Sequence, residues 1–354
     1  MKTRKIYLDI LRAIACCMVV GVHVSAQQIT KLGTSSISFK FMNATDCLCI
    51  IGVPLFVMIS GALMLNPEHN KSLKKLYDHH IIRLLIAYWG WLLFYNIEIY
   101  VQNGHWFSYE TFKKEVIIET LMGKGMYHMW FMPMILGLYI LTPLLQGIVY
   151  TRKNCEYFLI LYFIFNLFYN TIFKFTVPYE VIVNSAFTLF PLGMLEGYVG
   201  YYILGFYLDH YISFPSKHTI YAISLLGLVN YVWEVTICNY ISAQKDELST
   251  ILNDPLTVNA FFISTALFMT ARHLFGNINI AGNFYRLCKA LGRYSFGVYL
   301  IHPLILSFMT QNNITTLLLP VPISIPLMVA VVVGISYVLT WIISRIPLIG
   351  RYLV

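Results

Sequence analysis

Apolar residues run along this chain in long continuous stretches, separated by short polar connectors that hold most of the charge. A helix needs roughly 20 predominantly apolar residues to cross the hydrocarbon core of a bilayer. About ten stretches meet that length, near residues 6–26, 44–65, 80–101, 128–149, 157–173, 190–208, 219–239, 257–275, 293–311 and 322–344. Pro54, Pro133, Pro143, Pro191 and Pro303 fall within them. Membrane helices tolerate such breaks when neighbouring helices satisfy the freed backbone groups. The runs do not alternate with a period of two, which excludes a β-barrel. The pattern predicts an all-α, polytopic integral membrane bundle of about ten transmembrane helices. It forms a single domain over residues 1–354 with no appended soluble domain. A short surface helix is expected in the longest connector, roughly 102–127.

Composition removes the alternatives. The 354 residues are 58% hydrophobic and 11% charged, with a mean hydropathy of +0.68. Soluble domains carry about 25% charged residues, so a cytosolic enzyme, a disordered chain and a disulfide-rich secreted module are all excluded. The net charge of +8 does not indicate nucleic-acid binding, because the basic residues are dispersed between apolar runs. With the N-terminus placed inside, and Arg12 within the first span set aside, 16 Lys and Arg residues fall in inner segments and 7 in outer loops. That positive-inside bias predicts both termini in the cytoplasm. Residues 1–5, 13–22 and the Val24-Ser25-Ala26 tripeptide also fit a signal peptide. Asp9, Arg12 and His23 would be an odd burden for a discarded helix, and they favour a retained span. The seven cysteines show no metal-ligand spacing and read as packing residues.

Ionisable groups inside spans are costly and by default point to function. The first span holds Asp9, Arg12 and His23. Eleven steps separate Arg12 from His23, close to three full turns, so both lie on one face about 16 Å apart along the axis. Asp9 precedes Arg12 at the i, i+3 spacing of a helical ion pair. Glu98, Glu196 and Glu234 lie toward outer helix ends, where solvated interfacial positions are expected.

These residues carry a resemblance. Tyr7-Leu8-Asp9-Ile10-Leu11-Arg12-Ala13-Ile14-Ala15 followed by His23 resembles the opening signature of the acyltransferase 3 family, polytopic bacterial membrane enzymes that acylate sugars and envelope polymers. Val53-Pro54-Leu55-Phe56-Val57-Met58-Ile59-Ser60-Gly61-Ala62 resembles that family's second-helix motif. His128-Met129-Trp130-Phe131, with Tyr139 and Pro143 following, resembles its His-x-Trp-Phe element, and Tyr299-Leu300-Ile301-His302-Pro303 its late Tyr-x-x-His-Pro element. The four pieces occur in the family's order and span nearly the whole chain. The resemblance implies transfer from cytoplasmic acyl-CoA, acetyl-CoA in the first instance, to a hydroxyl of a cell-surface glycan or lipid-linked sugar, with Arg12 and His23 as the essential pair. It implies no metal, a place in the bacterial cytoplasmic membrane, and contact with envelope-biosynthesis partners.

The chemistry fits the spacing. Arg12, Arg83 and the Lys71, Lys74 and Lys75 cluster are placed to hold donor phosphates. Histidine, with an unperturbed pKa of about 6.5, suits a base that takes a hydroxyl proton. Asp9 is about 21 Å of helical rise from His23 and cannot orient it; Asp46 is the expected orienting group. His128, Trp130, Tyr299 and His302 are expected to line the acceptor site. Ser60 is either a covalent acyl acceptor or, with Gly61, half of a small pair that lets helices approach closely. The Val53–Gly61 wording is also similar to the membrane part of vancomycin-resistance serine racemases. The competing function is therefore a transporter or flippase of a small polar solute such as serine, or of a glycan, without acyl transfer.

Overall fold

The computed structural model describes residues 5–66, 73–104, 108–175, 193–213, 216–276, 282–347 and 350–353, apart from the side chains of Lys75 and Arg351. The described residues form helices and connecting turns, with no strand among them. In chain order the helices are α1 (Ile6–Ile29), α2 (Ile37–Cys49), α3 (Gly52–Met64), α4 (Tyr77–Gln102), α5 (109–121), α6 (Tyr127–Ile148), α7 (Arg152–Phe173), α8 (Val199–His210), α9 (Lys217–Lys245), α10 (Val258–Phe275), α11 (Asn283–Gln311) and α12 (Val321–Ile343). A last turn, α13 (Gly350–Leu353), packs on α4, where the Trp91 indole donates to the Leu353 carbonyl at 2.9 Å.

Among the described residues, seven stretches are long and apolar enough to cross a membrane: α1, the Ile37–Met64 segment made by α2 and α3, α4, α6, α7, α9 and α12. α5 is the short helix expected in the 102–127 connector. The second span begins at Ile37, earlier than its apolar stretch suggests, because Ser36 caps α2 by accepting from the Phe39 amide. Pro143 and Pro303 lie within α6 and α11, and Pro54 and Pro133 near the starts of α3 and α6. Pro191 lies outside the described residues.

α1 is the axis of the bundle. It packs against α2, α3, α10, α11 and α12, and two-thirds of its most apolar stretch is buried. A helix touched on so many sides presents its polar residues to protein, which is where Arg12 and His23 acquire partners.

The closest helix crossing is that of α3 on α8. A methyl group built on Gly61 would overlap the Tyr202 backbone, and one on Gly205 would overlap the Met58 backbone. Ser60-Gly61 thus acts as half of a small-residue crossing, the packing role open to it from the sequence. Gly61→Ala and Gly205→Ala should each destabilise the folded protein by about 1–3 kcal/mol, the usual cost of overpacking. Thermal melting of the purified variants in detergent checks this, and unchanged melting would refute it.

Candidate functional site

The site is built along one face of α1. Near its start, the Arg12 guanidinium lies 3.8 Å from the Asp9 carboxylate, the ion pair expected from their spacing. Arg12 also lines a cavity of about 150 Å³ bounded by α1, α3, α4, α6 and α11. Its polar wall holds Arg12, Ser60 and Tyr139, and its apolar wall includes Phe56, Phe131 and Tyr299. The Tyr139 hydroxyl donates to Ser60 Oγ at 3.5 Å. The Arg12 and Arg83 guanidiniums both lie close enough to act electrostatically on Tyr139. A cleft with one guanidinium and a few hydroxyls in a mainly apolar wall suits an amphiphile with an anionic head and a slender arm.

Arg83 is largely exposed on α4, and Lys74 is exposed on the turn before it. Lys71 and the side chain of Lys75 lie outside the described residues.

Further along the same face stands His23. Its ring stacks on His302 from α11, with centroids 5.2 Å apart and planes inclined by 23°. Tyr127, at the start of α6, also meets His23, with ring centroids 4.9 Å apart and planes inclined by 58°. His128 completes the group, 5.6 Å from His302 in an edge arrangement. Tyr299 touches both His128 and His302 while also lining the Arg12 cavity, so one ring is the wall between the two halves of the site. The hydroxyl of Tyr299 donates to the His128 carbonyl, and that of Tyr95 to the Leu300 carbonyl at 2.5 Å. These bonds tie α11 to α6 and α4 and fix the positions of the histidines.

Of the residues singled out from the sequence, the fold thus gathers His23, His128, Tyr299 and His302 in one cluster and Arg12, Asp9 and Ser60 around the adjoining cavity. Trp130 stands apart. It is half exposed and stacks on Tyr198 at 5.7 Å, away from the histidine rings.

Asp46 is buried, but its carboxylate accepts from Ser25 Oγ at 3.1 Å and from Asn253 Nδ2 at 2.6 Å rather than from His23. Ser25 is two residues beyond His23, on the far side of α1, so a carboxylate bound there cannot reach the imidazole. The rings in contact with His23 are those of His302 and Tyr127.

Glu234 also departs from expectation. It is fully buried on α9, against Cys47 and Cys238, instead of solvated at an interface. Packing of α2 on α9 encloses it. All seven cysteines are free thiols.

Tyr127 and Ile135 carry roles that sequence reasoning did not assign. With Phe131 and Tyr139 they form an i, i+4 stripe on α6 that faces the site throughout. That periodicity was available in the sequence, though nothing there distinguishes a site-facing apolar stripe from a core-facing one.

The sequence profile of the acyltransferase 3 family, described as an acyltransferase domain, matches residues 5–344. The chain therefore belongs to that family of membrane acyltransferases. Two proteins of Staphylococcus aureus, from strains MRSA252 and MSSA476, are each described as a probable poly-beta-1,6-N-acetyl-D-glucosamine export protein. Each is 23% identical over 333 residues, covering 89% of this chain and 86% of the relative. No solved structure matches significantly.

Proposed function

Proceeding from that membership, we propose that the protein transfers an acyl group, acetyl in the first instance, from cytoplasmic acyl-CoA to a hydroxyl of a cell-surface glycan or lipid-linked sugar. The observation that carries this reading is the bipartite site on α1. A cationic cavity at Arg12 and a histidine cluster at His23 share one helix face and are separated by the Tyr299 ring. Arg12 and Arg83, with Lys74 and Lys75 nearby in sequence, hold the donor phosphates, and the pantetheine arm runs along α1. His23 takes the proton of the attacking hydroxyl as oxygen adds to the thioester carbonyl; the adduct then collapses, the C–S bond breaks, and the CoA sulfur leaves with that proton returned from His23. The stretch of α1 between Arg12 and His23, about 16 Å, is spanned by the arm.

Three further helices, α8, α10 and α11, complete a set of about ten crossings in this reading. The basic tally then places both termini in the cytoplasm and His23 toward the outer leaflet. An alkaline phosphatase fused within 109–121 should be active, and a fluorescent protein fused after the last residue should fluoresce inside the cell. The reverse pattern would invert the donor and acceptor sides.

The relatives' description favours one second reading, export of a glycan without acylation. Proteoliposomes supplied with radiolabelled acetyl-CoA and a β-1,6-linked N-acetylglucosamine oligomer separate the two. Label appearing in the oligomer is expected. Passage of unlabelled oligomer across the bilayer, with no label incorporated, would establish export instead.

A further inference from the structure

The histidine cluster contains buried polar atoms that no hydrogen bond among the described residues satisfies. His302 is fully buried, and its Nδ1–H donates to the Tyr299 carbonyl at 2.7 Å, with the Val298 carbonyl at 3.3 Å. A neutral imidazole carries one proton, so the carbonyl partners assign it to Nδ1 and leave a lone pair on Nε2. That Nε2 has no partner. His128 is also buried; neither of its ring nitrogens makes a hydrogen bond of good geometry, although the Leu300 carbonyl lies near one of them. Buried polar groups are almost always hydrogen-bonded, and three orphaned atoms on two rings 5.6 Å apart are a concentrated exception.

None of the surrounding tyrosine hydroxyls bonds to the open nitrogens of His128 and His302. Those of Tyr299 and Tyr95 are committed to main-chain carbonyls, which hold the rings in place while leaving their nitrogens open. Among the described residues, no lysine, arginine or carboxylate bonds to any of the three histidine rings. A phosphate or carboxylate would find no cation here, and an ammonium would find no anion. What the cluster offers is a fixed acceptor at His302 Nε2 and one donor with one acceptor on His128. That set matches a group which both donates and accepts without charge, namely a hydroxyl or a pair of adjacent hydroxyls.

We propose that His128 and His302 form a subsite for uncharged sugar hydroxyls, with one hydroxyl donating to His302 Nε2 and a neighbouring oxygen accepting from His128. The proposal rests on the acyl-transfer reading only for its purpose, which is to hold the acceptor sugar against His23. The subsite itself is a binding claim, and it makes the preferred acceptor a neutral glycan rather than a uronate or phosphate-bearing one.

The test measures binding without any acyl donor, by calorimetry on the full chain in detergent. The probes are a β-1,6-linked N-acetylglucosamine tetramer and, as the anionic comparison, a glucuronate tetramer of similar size. Wild type should bind the neutral tetramer in preference to the anionic one. His302→Phe and His128→Phe keep the ring volume and remove the nitrogens, and each should weaken binding of the neutral tetramer about tenfold. His302→Gln and His128→Gln restore polar atoms near the lost positions and should stay within about threefold of wild type. CoA binding should be unchanged in all four, a readout that mere loss of structure would not spare. Should one Phe variant fail to fold, the Phe and Gln contrast at the other histidine decides the matter.

Undiminished sugar binding in the Phe variants would overturn the subsite, as would failure of wild type to bind the neutral tetramer, or a preference for glucuronate. Sugar binding that follows the predicted order, with no acetyl transfer in the labelled assay, would remove the acyltransferase reading and leave the subsite standing.

Discussion

Replacing His23 by alanine is expected to lower acetyl transfer about 10²–10⁴-fold, the range over which a positioned general base contributes. The loss should fall on turnover, with half-saturation by acetyl-CoA unchanged, because donor phosphates are held at the Arg12 end of α1 and not at His23. His23 packs against the rings of His302 and Tyr127, so the alanine variant also removes packing. His23→Phe separates the two effects. It keeps an aromatic ring against these neighbours and should melt like wild type, yet be as inactive as the alanine variant. Partial recovery of His23→Ala by added imidazole would identify the missing group as a base. Full activity in His23→Phe would rule out proton transfer at this position. The assay is single-turnover release of label from acetyl-CoA into the sugar oligomer.

Arg12→Ala should instead act on the donor. Loss of a guanidinium that meets phosphate oxygens costs about 1.5–3 kcal/mol for a charge-assisted hydrogen bond, so half-saturation by acetyl-CoA should rise between about 10-fold and 150-fold. Arg12→Lys should recover only part of this, since an ammonium lacks the planar fork. A stability effect accompanies the substitution, because Asp9 is buried and loses the cation beside it. Breaking a buried pair by removing one partner costs about 3–5 kcal/mol; the Arg12 side chain is one-quarter exposed, which puts the expectation at the lower end or below. Pairing Arg12→Gln with Asp9→Asn removes both charges and should restore melting without restoring donor affinity. Donor affinity returning together with melting would show that Arg12 matters only for the fold.

The helices were largely legible in the one-dimensional pattern, because each buries apolar surface through its own run of residues. The predicted stretches near 80–101, 128–149, 219–239, 257–275 and 322–344 agree with α4, α6, α9, α10 and α12 to within a few residues at most ends. The Arg12–His23 stripe was legible for the same reason, since 3.6 residues per turn fixes which positions on a single helix share a face. The ends of helices were less so, as α2 shows by starting at a capping serine instead of at its first apolar run.

Relations between helices belong to another class of information. Asp46 and His23 lie at similar depth by sequence, and only the rotation of α1 decides that Asp46 meets Ser25 instead. Glu234 reads as an interfacial acid until α2 covers it. His302 reads as one residue lining an acceptor site, with nothing to say which ring it meets, until α11 packs along α1 and lays it on His23. By itself the sequence determined the helical class, the membrane setting and the polar stripe of the first helix, all of which follow from local periodicity and the cost of putting charge in lipid. The tertiary structure alone decided which side chains of separate helices meet, because crossing geometry is set by close contacts such as Gly61 on Tyr202 and Gly205 on Met58, and such contacts leave no periodic mark on either helix alone.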